Sequence, residues 1–188
     1  NTSVVFGRTG EELARYRKIH LFDVVTPDGR EYRESALVGR GTEIVTYPAD
    51  GLRVGCSICY DIRFPELYIG LAQRGAQVFT VSASWGTGPG KLDQWTLLAR
   101  ARALDTAGFV AAVGQAYPGD EIAKIGPTGV GGSLVVSPYG EVIDSAGADE
   151  QLLVCDVDVP AVEAARDTLA VLRNRSASAQ IDKAESRG

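Results

Sequence analysis

LRVGCSICYDIRFPEL, the stretch from Leu52 to Leu67, decides how the rest of the chain is arranged. Its first seven residues are dense in apolar side chains, which predicts a short buried strand ending at Ile58. A polar turn follows, and Pro65 suits the first turn of a helix, so a helix is predicted to begin there. The residue that follows the strand end and opens the turn is Cys59.

Cys59 is a candidate nucleophile because of this corner. A strand end before a helix lifts a side chain out of the sheet, and the free N–H groups of the helix favour a thiolate over a thiol. Free cysteines are also among the most buried residues, so the pattern alone leaves a packing role open. Cys56 and Cys155 each lie inside an apolar run, and for both we predict packing.

The composition predicts one domain and a small-molecule substrate. With 188 residues, 45% of them hydrophobic, the chain can bury a sizeable core. A net charge of −5 argues against nucleic acid or an anionic membrane as the partner. Three cysteines without the spacing of a disulfide framework or a zinc site indicate a reducing, cytoplasmic compartment and no metal. The longest apolar runs are strand-sized, so no membrane-spanning segment is predicted.

The order of elements predicts a layered α/β domain over residues 1–172, followed by a polar tail over 173–188. A single sheet of this many strands would leave one face bare, so we infer two packed sheets with helices outside. Helices are predicted over Pro65–Arg74 and Gln94–Thr106 and from Pro160 onward. Strands are predicted over Ser3–Phe6, Glu12–Lys18, Thr42–Tyr47, Leu52–Ile58, Gln77–Ala83, Phe109–Gly114, Leu134–Val136, Val142–Ser145 and Leu152–Val157.

Other polar residues allow more than one interpretation. On charge alone, the basic run that includes Lys18 is predicted to be a strand end exposed to solvent. His20 is the only histidine, and a structural or supporting role is favoured over a direct one. Arg63 could contact a substrate carboxylate, although an ion pair with Asp61 or Glu66 is slightly favoured.

Ser84 and Trp85 follow a buried strand and precede a loop rich in glycine. Loops beyond strand ends often line ligand sites in layered α/β folds. Both residues could therefore shape a substrate pocket, but a tryptophan beside glycines could equally belong to the core.

Three segments together resemble the nitrilase, or carbon–nitrogen hydrolase, superfamily. They are YRKIHLFD (16–23), GLRVGCSICYDIRFPEL (51–67) and WTLLARARALDT (95–106). The similarity is greatest to the omega-amidase and deaminated-glutathione-amidase group. It implies a four-layer α-β-β-α sandwich, a small amide substrate, no cofactor, and association as a homodimer or higher homo-oligomer. It also supports the pocket role of Ser84 and Trp85.

The same resemblance assigns roles to single residues. Lys18 matches the lysine of the family's Glu–Lys–Cys arrangement, Cys59 its nucleophile, and Glu34 the additional glutamate that holds the lysine. Lys18 and the backbone N–H of Tyr60 would then bind the oxyanion of an amide that Cys59 converts to a thioester. The family's general-base glutamate lies upstream of the segment that begins at Asn1. Since the chain also has no methionine, we expect an N-terminal segment to be missing.

Two alternatives remain at this stage. The chain could be an inactive binding or regulatory subunit that keeps the scaffold without the base. It could also be an isochorismatase-like hydrolase, which uses a lysine, a cysteine and an acid as well. That fold has a doubly wound parallel sheet, and the predicted hairpins before Cys59 argue against it.

Overall fold

Ten strands and four α-helices form the part of the chain that the computed structural model describes, residues 1–26, 29–123 and 128–176. The strands are β1 Thr2–Phe6, β2 Glu12–Arg17, β3 Asp23–Val25, β4 Glu31–Arg33, β5 Thr46–Ala49, β6 Leu52–Ile58, β7 Val78–Ala83, β8 Phe109–Gly114, β9 Leu134–Val136 and β10 Val142–Ser145. The helices are α1 Pro65–Gln73, α2 Lys91–Thr106, α3 Asp120–Ala123 and α4 Val159–Leu169. Short 3-10 helices cover Glu34–Ala36 and Cys59–Arg63.

The main sheet has six strands in the order β10-β9-β8-β7-β6-β5. Its central strands β6, β7 and β8 are parallel, while β5, β9 and β10 join antiparallel. Parallel strands all end at the same edge of a sheet. The residues that follow these three strands, Cys59, Ser84 and Gln115, therefore meet along one edge, where layered α/β folds bind ligands.

The apolar core lies between one face of this sheet and the helices α1 and α2. Leu71, Phe79, Val81 and Trp95 are fully buried in it. On the opposite face the β1–β2 hairpin packs against β6, with Tyr16 in contact with Cys56 and Ile58. The described residues thus supply a helical layer, the six-stranded sheet and a second β layer. Helix α4 covers the beginnings of the strands through Val162.

Most predicted elements are present, with two larger shifts in where an element begins and one predicted strand that is absent from the described chain. Strand β5 begins at Thr46 rather than Thr42, and helix α2 begins at Lys91, three residues before the predicted start. The predicted strand over Leu152–Val157 is wrong, because that segment pairs with no strand in the described chain. Leu152 and Val154 are 84% and 80% exposed, so their β-forming side chains have no neighbouring strand to pack against.

The predicted tail, residues 173–188, lies largely outside the described residues, which end at position 176. Residues 171–174 form a turn after α4. Among the helices of the described chain, none combines the length and the apolar character needed to cross a bilayer.

Candidate active site

A cavity of about 710 Å³ opens at the edge where the parallel strands end. The seven residues that the sequence analysis proposed for a site all line it: Lys18, Glu34, Cys59, Tyr60, Arg63, Ser84 and Trp85. They come from segments separated by up to 67 positions, the interval between Lys18 and Trp85. The fold therefore places the candidate nucleophile, the ammonium group and the candidate pocket residues around one space. The catalytic roles of these residues stay predictions.

Cys59 lies at the corner that the sequence predicted, between β6 and α1. Its φ angle is 49°, in the left-handed region that residues with a Cβ avoid. The 3-10 helix from Cys59 to Arg63 makes the turn, and Pro65 occupies the first turn of α1. A strained conformation of this kind persists only where the surrounding structure enforces it, and such residues cluster at functional sites.

Lys18 is buried, with 2% of its surface exposed. The prediction from charge alone, that this basic run is a strand end exposed to solvent, is therefore wrong at Lys18. Its Nζ donates a hydrogen bond of 2.6 Å to Oε2 of Glu34. The backbone N–H of Phe22 donates to the same oxygen at 2.7 Å, and Nδ2 of Asn1 donates to Oε1 at 3.0 Å. Burial alone would raise the pKa of Glu34, but these three hydrogen bonds and the charge of Lys18 together lower it. The Glu34 carboxyl is therefore ionised at neutral pH.

The thiol of Cys59 is not made acidic by this environment. Burial raises its pKa and is the largest effect, and the Lys18 charge and the Tyr60 N–H act in the opposite direction without overcoming it. The carboxylates of Glu34 and Asp61 add to the rise. The expected thiolate is thus wrong for the resting site. The expectation rested on the effect of the helix N-terminus alone, and it did not include the burial of the thiol or the nearby carboxylates of Glu34 and Asp61.

Arg63 and Trp85 form one wall of the cavity. The guanidinium lies over the Trp85 ring at 5.0 Å from its centroid, and its NH2 group donates to Oε1 of Gln94 at 2.8 Å. The favoured ion pair of Arg63 with Asp61 or Glu66 is absent from the described chain, so that prediction is wrong. Trp85 is buried and also lines the cavity, and its Nε1 donates to the carbonyl of Lys91 at 2.8 Å.

His20 does not line the cavity. Its ring stacks on Phe64 with centroids 3.7 Å apart, and its Nδ1 lies 2.8 Å from Oδ1 of the buried Asp61. This agrees with the supporting role that the sequence favoured.

Sequence reasoning missed other residues that line the cavity, among them Asn1, Phe22 and Lys91. Asn1 holds Glu34, and the Phe22 ring packs edge-on against Tyr60 at 5.1 Å. Lys91 could have been found if α2 had been predicted to begin directly after Gly90, whose φ of 69° lies in the left-handed region that glycine adopts readily. No group of three or more His, Cys, Asp and Glu side chains in the described segments could hold a metal ion.

Sequence comparisons identify relatives over almost the whole chain. A hydrolase of Mycobacterium tuberculosis (strain CDC 1551 / Oshkosh) is 58% identical over 187 residues, which cover 97% of this chain and 65% of the relative. The human omega-amidase is 38% identical over 93% of this chain and 62% of its own length. The deaminated glutathione amidase of Synechocystis sp. is 36% identical over 93% of this chain and 63% of its own length. The chain therefore spans slightly less than two thirds of these relatives.

Solved structures share the fold. The Nit3 protein of Saccharomyces cerevisiae, a member of branch 10 of the nitrilase superfamily, superposes with a TM-score of 0.76 at 31% identity, over 89% of this chain and 56% of that protein. A mutant amidase from Nesterenkonia sp. superposes with a TM-score of 0.74 at 26% identity, over 94% of this chain and 59% of that one. That structure shows covalent addition of the acetamide moiety of fluoroacetamide at its active-site cysteine.

These comparisons confirm the predicted nitrilase-like α/β fold and the similarity to omega-amidase and deaminated glutathione amidase. The isochorismatase-like alternative loses its support, since the sheet is mixed rather than doubly wound and parallel. The carbon-nitrogen hydrolase family matches residues 1–167, most of the 188. The chain belongs to the carbon-nitrogen hydrolase family.

Proposed function

We propose that this chain forms the catalytic part of an amidase that hydrolyses a small linear amide through a thioester on Cys59. The observation that carries the proposal is the buried Lys18–Glu34 ion pair, which lines the same cavity as the strained cysteine. A buried ammonium group that lines the same cavity as a cysteine can stabilise the oxyanion that forms when the sulfur attacks a carbonyl. The pair therefore supports the amidase proposal.

The first half of the reaction forms the thioester. The Cys59 sulfur attacks the amide carbonyl, and the thiol proton passes to the general-base glutamate that the family resemblance places before Asn1. The carbonyl oxygen becomes an oxyanion, which Lys18 Nζ and the backbone N–H of Tyr60 stabilise. The C–N bond then breaks, and the nitrogen leaves as ammonia after receiving a proton.

In the second half, water attacks the thioester carbonyl as the same glutamate removes its proton. The C–S bond breaks, the carboxylic acid leaves, and the sulfur regains a proton. The covalent addition at the active-site cysteine of the Nesterenkonia amidase supports a nucleophilic role for the cysteine here.

The charges of the cavity favour an amide that also carries a carboxylate. Among the residues that the structure describes, the charged ones that line it apart from the Lys18–Glu34 pair are Arg63 and Lys91, both cationic. In the described chain neither has a carboxylate within 4.0 Å, and the guanidinium of Arg63 is already oriented by Trp85 and Gln94. We therefore propose that Arg63 and Lys91 attract the distal carboxylate of an ω-amide.

Ammonia release from glutamine, α-ketoglutaramate-type amides and simple nitriles tests this function in the native, full-length protein. Cys59→Ala should abolish turnover, and mass spectrometry of the wild-type protein should detect an acyl adduct on the Cys59 peptide. Cys56→Ala is the matched control, because Cys56 is a buried thiol three residues away that does not line the cavity. Amide hydrolysis by Cys59→Ala at the wild-type rate would refute the proposal. A wild-type protein that neither releases ammonia nor acquires the adduct would count against the amidase and favour the binding or regulatory subunit.

A cytoplasmic location, a domain over residues 1–172 and a homodimeric or larger assembly are proposed with this function. Light scattering of the purified protein gives the mass of the assembly. A monomeric mass would contradict the proposed association.

A further inference from the structure

Asp61 is a fully buried carboxylate that the proposed reaction does not use. It lies two residues after Cys59 in the 3-10 helix, has no exposed surface and does not line the cavity. A buried carboxylate is costly unless hydrogen bonds replace its hydration. Its position next to the nucleophile therefore calls for a role that a small apolar side chain could not supply.

Four donors satisfy Asp61, and they come from two distant parts of the chain. Oδ2 accepts from the Tyr16 hydroxyl at 2.7 Å and from the backbone N–H of Ile58 at 2.9 Å. Oδ1 accepts from the backbone N–H of His20 at 3.0 Å and pairs with its Nδ1 at 2.8 Å. Burial and the charge of Asp61 raise the pKa of Tyr16, so its hydroxyl remains a donor.

These bonds join the lysine segment to the nucleophile corner. Tyr16 and His20 flank Lys18 by two residues on either side, and Ile58 directly precedes Cys59. One carboxylate thus fixes the backbone on both sides of Lys18 relative to the turn that carries the sulfur. The Tyr16 hydroxyl also accepts from the backbone N–H of Ile19 at 3.3 Å, which adds a further link next to the lysine.

We propose that Asp61, through Tyr16 and His20, is the positioning residue that sets the place of the Lys18 ammonium relative to the Cys59 sulfur. The inference rests on the proposed function, because the two oxyanion donors, Lys18 Nζ and the Tyr60 N–H, lie on the two segments that Asp61 joins. A misplacement of about 1 Å can cost about 100-fold in rate, so an oxyanion site built from two segments needs a link of this kind.

The charge of Asp61 supports a geometric role over an electrostatic one. A negative charge beside Cys59 raises the pKa of the thiol and so disfavours the nucleophilic form. The benefit of the carboxylate at this place is the set of four directed hydrogen bonds, which also close the turn at the left-handed Cys59.

The test compares two tyrosines on opposite faces of β6. Tyr16→Phe removes the 2.7 Å bond to Asp61, whereas Tyr68→Phe removes a buried hydroxyl 2.6 Å from Ser57 Oγ, on the side of α1. Both changes delete one buried hydroxyl and should lower thermal stability, Tyr16→Phe by more because its hydroxyl bonds to a charged carboxylate. Tyr16→Phe should also lower kcat about tenfold with little change in KM, which corresponds to loss of transition-state positioning. Tyr68→Phe should keep kcat within about twofold of wild type.

A second readout requires no turnover. The pH midpoint for alkylation of Cys59 by iodoacetamide should shift upward in Tyr16→Phe, because a displaced Lys18 no longer lowers the pKa of the thiol, and should stay unchanged in Tyr68→Phe. Should Tyr16→Phe fail to fold, variants of His20 serve instead, because this residue is only partly buried and its replacement should preserve the fold. His20→Ala should lower kcat, and His20→Asn, whose amide nitrogen takes nearly the place of Nδ1, should restore most of it.

The outcomes separate this inference from the proposed function. Suppose that the wild type is active and that Tyr16→Phe and His20→Ala have the same kcat and alkylation midpoint as Tyr68→Phe. This result overturns the positioning role and leaves the proposed amidase function intact. A wild type without amidase activity counts against the proposed function. The alkylation midpoints then still decide whether Asp61 places Lys18 beside the thiol.

Discussion

Replacement of Glu34 by glutamine should have opposite effects on the reactivity of Cys59 and on turnover. The carboxylate of Glu34 raises the pKa of the thiol and neutralises Lys18. Without this charge, the unpaired ammonium should lower the pKa of Cys59, so alkylation by iodoacetamide should begin at lower pH than in the wild type. Turnover should nevertheless fall, because the ammonium loses the partner that holds it in place.

The size of the stability change follows from the geometry. The side chains of Lys18 and Glu34 are 3% and 19% exposed, and their hydrogen bond is 2.6 Å long. Bonds to charged groups contribute about 1.5–3 kcal/mol, and glutamine keeps one acceptor oxygen, so we expect a loss of about 2 kcal/mol. For a chain of this size that corresponds to a fall in Tm of about 4–8 °C. Asn1 must also rotate its amide, since the new amide nitrogen would face its Nδ2.

The pH dependence of this loss has a definite sign. Because the folded-state pKa of Glu34 is depressed below 4.5, its contribution to stability is complete above that value and is lost as pH falls through the folded pKa. The difference in unfolding free energy between wild type and Glu34→Gln should therefore be constant at neutral pH and shrink in acid. Denaturant titrations over a series of pH values measure it.

Glu12→Gln is the matched control, since Glu12 forms an ion pair with Arg15 in which both side chains are about half exposed. Solvent and salt screen such a pair, so its removal should leave Tm unchanged. The reasoning is refuted if Glu34→Gln leaves the alkylation midpoint of Cys59 unchanged or moves it upward, or if its Tm equals that of Glu12→Gln.

Three further changes test other parts of the structure. Cys59→Gly should be more stable than Cys59→Ala by about 1 kcal/mol in denaturant unfolding, because glycine adopts a φ of 49° without a Cβ penalty; equal stabilities would mean that the corner is unstrained. Lys91→Ala should raise KM about tenfold for an amide that bears a carboxylate, a change of about 1.4 kcal/mol. For a neutral amide of similar size KM should be unchanged. An equal effect on both substrates would show that Lys91 does not bind the carboxylate. Leu71→Ala should cost about 2–5 kcal/mol of stability, because Leu71 is fully buried between α1 and β6, and the activity of the folded fraction should remain.

The sequence predicted the central part of the fold well because its signals there are local. An apolar run before a polar turn and Pro65 was enough for β6 and α1, and Gly75, with a φ of 87°, terminates α1 as a left-handed cap. Local signals failed where the outcome depends on neighbours. Leu152–Val157 has the composition of a strand but pairs with none in the described chain.

The site was predictable only through the family resemblance. No local pattern joins Lys18 to Cys59, which are 41 positions apart, and charge alone placed Lys18 in solvent. Arg63 was similarly assigned to carboxylates nearby in sequence, whereas the fold directs it to Trp85 and Gln94. Side-chain partners across the cavity depend on tertiary packing, which sequence spacing does not encode.

The charges around Cys59 explain how a site with a protonated thiol can still carry out nucleophilic chemistry. One ammonium, that of Lys18, lies among two carboxylates, those of Glu34 and Asp61, so the resting site offers little net stabilisation to a thiolate. Catalysis requires stronger interactions in the transition state than in the ground state. An oxyanion that forms beside Lys18 and the Tyr60 N–H gains both donors at the moment when its charge appears, while the thiol proton departs to the base. Lys18 is therefore expected to stabilise the developing oxyanion more than the sulfur, and removal of the lysine should reduce kcat far more than it reduces alkylation of Cys59.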